Sequence, residues 1–96
     1  MPAATRISDK NTGHGGYPST TAETGSSNVF INGLGAHRTG DTWVAHNKKK
    51  GTLHPDTTGP GSSSVFINGS SCARFGDSIV DGGAIAQGSG NVFVGG

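Results

Sequence analysis

Two histidines stand at the same distance from a repeated landmark. His14 lies five residues after Asp9, and His46 lies five residues after Asp41. A third Asp of the same kind, Asp77, is followed four residues later by Asp81. Asp81 precedes Gly82-Gly83 much as His14 precedes Gly15-Gly16. His54 lies further along the stretch that holds His46. Three imidazoles and one anionic ligand form a normal tetrahedral zinc set, and closed four-coordinate sites of that kind are structural. His14, His46, His54 and Asp81 are therefore the candidate metal ligands. Four histidines in 96 residues would also suit plain surface loops; the matched spacing of His14 and His46 favours a shared site.

Catalysis finds little support. An open metal site needs a general base beside it, and the only Glu, Glu23, belongs to no His-Glu-x-x-His spacing. No Gly-x-Ser-x-Gly elbow occurs, and the Gly-rich segments lack the Lys-Ser/Thr of a phosphate loop. A small metal-dependent hydrolase or effector using the His cluster is the alternative reading. His37, beside Arg38, reads as a structural or partner-facing residue. Cys72 reads as a small buried thiol, and as the best competitor to Asp81 for the fourth ligand position.

The landmark Asp residues belong to a repeat. Gly25-Ser26-Ser27-Asn28-Val29-Phe30-Ile31-Asn32-Gly33 recurs as Gly61-Ser62-Ser63-Ser64-Val65-Phe66-Ile67-Asn68-Gly69, and shortened as Gly88-Ser89-Gly90-Asn91-Val92-Phe93-Val94-Gly95. A second phrase runs Ala4-Thr5-Arg6-Ile7-Ser8-Asp9, Ala36-His37-Arg38-Thr39-Gly40-Asp41 and Cys72-Ala73-Arg74-Phe75-Gly76-Asp77. The chain opens on the second phrase and closes on the first, so its ends are two halves of one unit. Joining them makes a ring of three equivalent units with no free sheet edge. The short β-branched and aromatic runs, followed by Asn-Gly, predict hairpins with positive-φ turns. The Arg-x-x-Asp pairs predict one salt-bridged corner per unit. Three Gly/Thr/Ser-rich excursions, over 10–24, 42–60 and 78–87, leave from equivalent corners and converge on the axis.

Composition sets the same limits. Only 17 of 96 residues are Leu, Ile, Val or Phe, while Gly and Pro number 18 and 4. So small a core normally needs a staple, and a lone cysteine excludes an internal disulfide. Metal or partner remains. The net charge of +1, with Lys48-Lys49-Lys50 the only basic run, argues against nucleic acid. No apolar run approaches 18 residues, and the N-terminus does not resemble a signal peptide.

Pro2-Ala3-Ala4-Thr5-Arg6, Gly35-Ala36-His37-Arg38-Thr39-Gly40-Asp41 and Ser71-Cys72-Ala73-Arg74-Phe75-Gly76-Asp77, each coupled to a Gly-Ser-x-x-Val-Phe phrase, resemble the PAAR-repeat proteins. The resemblance implies an all-β, pseudo-threefold cone of β-hairpins with little helix, a single domain over 1–96 with no effector extension. It implies a non-enzymatic tip that caps the trimeric β-helical spike of a type VI secretion system or contractile phage tail, one copy per trimer. An apical zinc, with iron the lesser choice, would be held at His14, His46 and His54. The family's third unit carries Cys just before Gly-Gly, where this chain has Asp81; Asp81, Cys72 or water then completes the shell. The expected partners are the spike, a separate effector cargo and, transiently, a target membrane. The tip is expected to assemble in the cytoplasm and leave by injection, or to belong to a virion.

Overall fold

Asn32 and Asn68 adopt φ of 55° and 54°, and the glycines after them 79° and 84°. Two successive positive φ values make the turn whose twist matches paired strands. Each turn closes a two-residue hairpin: β1 (Phe30–Ile31) pairs antiparallel with β2 (Leu34–Gly35), and β3 (Phe66–Ile67) with β4 (Ser70–Ser71). The computed structural model describes residues 1–46 and 55–96. Among these residues there is no helix, and the rest of the pairing is single bridges. The protein is all-β.

The third hairpin is assembled from the chain ends. Ala3 bridges Phe93 as Gly35 pairs with Phe30 and Ser71 with Phe66. The Ala4 N–H donates to Val92 O as Ala36 does to Val29 and Cys72 to Val65. Between units the ladder is cyclic: Arg6 bridges Ala36, Arg38 bridges Cys72, and Arg74 bridges Ala4. At its centre three backbone bonds close on themselves, each 3.0 Å: His37 N–H to Thr5 O, Thr5 N–H to Ala73 O, and Ala73 N–H to His37 O. All three residues are fully buried. The body measures 39 × 23 × 23 Å, and its two equal short axes are what a threefold arrangement requires.

Side chains repeat the symmetry. Ser26, Ser62 and Ser89 each accept two backbone N–H bonds two and three residues on, then reach across to a neighbouring hairpin turn. Ser26 donates to Asn68 Oδ1 and Ser89 to Asn32 Oδ1, and Arg38 and Arg6 donate to the same oxygens. In the third unit Gly95 replaces the Asn, and its backbone carbonyl receives both Ser62 and Arg74. The corners are as the sequence suggests. Arg6–Asp9, Arg38–Asp41 and Arg74–Asp77 form two-pronged clamps at 2.8–3.1 Å, each Asp also accepting its own Arg N–H.

Two small cores result. Near the hairpins, Ala4, Ala36 and Cys72 form one layer and Ile31, Ile67 and Val94 the next. Cys72 thus fills a symmetry position that demands a small side chain. The second core packs Ala22, Trp43, Ile79 and Ile85 of the excursions with Ala73 of the central ring. The excursions are bridged cyclically as well: Ala22 with Trp43, Thr58 with Ile79, Asn11 with Ile85. The hydrogen-bonded rings hold together what little apolar surface the chain can bury.

Candidate metal centre

The first excursion brings His14 into position through a tight reversal. Gly15 and Gly16, at φ 48° and 87°, let His14 and Tyr17 exchange both backbone bonds, at 3.0 and 2.6 Å. The two rings then face the same way, with centroids 5.2 Å apart. His46 arrives from the second excursion. Its ring lies 5.1 Å from that of His14 and 4.9 Å from that of Tyr17. The matched spacing did mark spatial neighbours.

The carboxylate beside them is Asp56. Its Oδ2 is 3.0 Å from His46 Nε2 and 3.3 Å from His14 Nε2, and the residue is 1% exposed. One ligand atom each of His14, His46 and Asp56 lies within 4.8 Å of the others, a group that could hold a metal ion. Asp56 is fixed by its own backbone, whose carbonyl accepts the Trp43 N–H at 2.9 Å. Trp43 is fully buried and anchors the return leg of the second excursion.

The donor chemistry fits a cation. His46 Nδ1 lies 2.7 Å from the Pro18 carbonyl oxygen, which can only accept, so Nδ1 carries the proton. In the neutral ring Nε2 then presents a lone pair toward the Asp56 carboxylate. A positive charge between them, as metal or proton, reconciles the two. Metal-bound histidines commonly have the other ring nitrogen tied in this way.

The remaining candidates fall elsewhere. Asp81 is exposed on a turn and lies outside the converging group; Asp56 stands where Asp81 was expected. The third excursion closes early, with Ser78 bridged to Ala84, so its turn passes beneath the site. A Cβ on Gly82 would sit 3.3 Å from His14 Cβ, and one on Gly83 would strike Gly13 O. Cys72 is in the hairpin-end core, 1% exposed. His54 lies outside the described residues. His37 is fully buried, so of its two expected roles only the structural one fits. Sequence reasoning missed Asp56 and Trp43. The available signal was that Asp56 shares an excursion with His46 and His54.

No curated protein matches the chain. A family model described as the PAAR motif matches residues 9–86, a span that holds the Arg38–Asp41 and Arg74–Asp77 clamps and the whole second ring, and the chain therefore belongs to the PAAR-motif family.

Proposed function

We propose that the protein caps the blunt end of a trimeric β-helical spike, of a type VI secretion system or contractile phage tail, as a structural and non-enzymatic tip. The carrying observation is the placement of three aromatic rings. Phe30, Phe66 and Phe93 occupy equivalent positions in the three hairpins and are 60%, 58% and 51% exposed. Val29 and Val65 are partly exposed beside them. An apolar patch repeated about a threefold is unusual on a small soluble surface, and a threefold partner can cover all three rings at once. A single chain that imitates threefold symmetry caps a true trimer with one copy.

The opposite role falls to His14, His46 and Asp56. Nitrogen and oxygen donors of this set suit zinc, with iron the lesser alternative. When bound, the ion would supply a positive charge that ties the first excursion to the second. Its binding free energy then adds to folding free energy, stiffening the end directed at a target membrane. Assembly in the cytoplasm or in a virion, and a separate effector cargo, follow from this reading.

The test is co-purification with a trimeric spike. The native chain forms a one-to-three complex, and the triple variant Phe30→Ser, Phe66→Ser, Phe93→Ser loses it while keeping its fold. Retention of the complex by the triple variant sinks the capping surface.

A further inference from the structure

The first excursion is braced by its own hydrogen bonds. Asn11, 3% exposed, accepts the Gly13 and Thr20 N–H groups on its Oδ1, each at 3.0 Å. Ser19 Oγ donates to the Asn11 carbonyl. Within this loop Tyr17 bridges back to His14, and Pro18 confines Tyr17 to the extended backbone that the bridge needs. Gly13 lies flat against the pair: a Cβ there would fall 2.5 Å from Tyr17 O and 2.8 Å from the Pro18 carbonyl carbon. Tyr17-Pro18 is therefore a fixed surface, and His46 of the second excursion is laid on it.

Three rings meet there. The centroid separations His14–Tyr17, Tyr17–His46 and His14–His46 are 5.2, 4.9 and 5.1 Å, a nearly equilateral triangle. Tyr17 is tilted 35° from His14 and 32° from His46, while the two imidazoles stand 66° apart. The phenol plane thus bisects the angle between the imidazole planes. Each imidazole leans on the phenol in a tilted packing that planar rings favour, and both turn Nε2 toward Asp56 Oδ2. One residue on, the Pro18 carbonyl accepts the His46 Nδ1 proton, with 2.7 Å between the heavy atoms.

We propose that Tyr17 is a positioning residue of the metal centre: its ring sets the angle between the two imidazoles before an ion arrives. The inference rests on the reading that His14, His46 and Asp56 hold a cation. The face of the phenol does this, and the hydroxyl is not required. Tyr17 belongs to neither apolar core and is half-buried, so replacing it spares the packing of the body.

Zinc and cobalt(II) titrations of the full chain test it, the visible absorption of the cobalt form reporting the coordination geometry. The native chain and Tyr17→Phe bind both ions equally well and give the same cobalt spectrum. Tyr17→Leu, which keeps bulk but loses the plane, binds about tenfold to a hundredfold more weakly, with an altered cobalt spectrum. Tyr17→Gln, equally planeless at this half-buried position, does the same. A plain packing role would lower the metal-free melting temperature of Tyr17→Leu while leaving affinity and spectrum native, and that result overturns the proposal. So does a loss in Tyr17→Phe as large as that in Tyr17→Leu. Uptake of neither ion by the native chain removes the metal reading and this inference with it. Native uptake that Tyr17→Leu and Tyr17→Gln both match removes the inference alone.

Discussion

His37 Nε2 and the hydroxyl of Thr58 are 2.6 Å apart in the middle of the molecule, with both side chains shielded from solvent. The proton positions follow from the neighbours. His37 Nδ1 faces the Thr24 carbonyl at 2.8 Å, so Nδ1 is the donor and Nε2 accepts from Thr58. The Thr58 oxygen in turn accepts from Trp43 Nε1 at 2.9 Å. The chain of bonds is complete only with a neutral imidazole. Replacing Thr58 by Val leaves a buried donor and a buried acceptor without partners, and should cost about 1–3 kcal/mol in denaturant unfolding. Thr58→Ser should retain most of that stability.

The same chain makes stability depend on acid. Burial lowers the His37 pKa below its ordinary 6.5, outweighing the Thr24 bond and the attraction of Asp41, while Arg38 pushes the same way as burial and Asp9 against it. Below pH 6.5 the unfolded chain takes up the proton more readily than the folded one, so stability is full above that pH and falls as the pH drops toward the folded value. The expected result is a loss of unfolding free energy below pH 6.5 that His37→Asn reduces. An unchanged pH profile in that variant refutes the assignment. Trp43 is the only Trp, and its ring centroid lies 4.9 Å from that of His37, so its fluorescence reports the step directly.

Ser8 occupies a place that belongs to glycine. It has φ 81° in the Arg6–Asp9 turn, where the equivalent Gly40 and Gly76 have 87° and 88°. A left-handed conformation costs an L-residue roughly 1–2 kcal/mol, partly offset by the extra freedom glycine has when unfolded. Ser8→Gly should therefore stabilise the fold by about 0.5–1 kcal/mol, a melting shift of several degrees for a domain this size. A lower melting temperature would show that Ser8 makes a contact worth more than the strain.

The ring was legible because Asn-Gly turns, Arg-x-x-Asp corners and Val-Phe strands are local signals, and their order alone demanded closure. The apex was half legible. Symmetry carries correspondence along the excursions only as far as the bridged positions Asn11, Trp43 and Ile79. Beyond these the loops differ in length, so equal counting from Asp77 no longer gives equal height, and Asp81 stops short. Asp56 arrives on a return leg whose register is set by the Trp43 N–H bond to Asp56 O and the Thr42–Thr57 bridge, which no sequence repeat encodes.

Cys72 should behave as a packing residue. It shares a layer with Ala4 and Ala36, and burial pushes its thiol pKa up, so thiolate is scarce in the native state. Labelling by a thiol reagent should be slow until denaturant unfolds the chain. Cys72→Ala removes one sulfur atom from a site whose two counterparts are already Ala. It should cost about 1 kcal/mol and leave metal content unchanged. Loss of metal in Cys72→Ala would instead make the thiol a ligand.

Asp56 and Asp81 can be separated by metal affinity. Asp56→Asn keeps the shape of the side chain but removes the charge beside His14 and His46, so zinc binding measured against a chromophoric chelator should weaken at least tenfold. Asp81→Asn, on its exposed turn, should bind as the native chain does. Chelator should lower the melting temperature of native protein and of Asp81→Asn, because a ligand at a hundred times its dissociation constant contributes about 2.7 kcal/mol. Asp56→Asn should melt alike with and without chelator. The reverse pattern, with Asp81→Asn losing the ion and Asp56→Asn keeping it, would move the fourth ligand to the third excursion and make the His14–Asp56–His46 contact an ordinary buried ion pair.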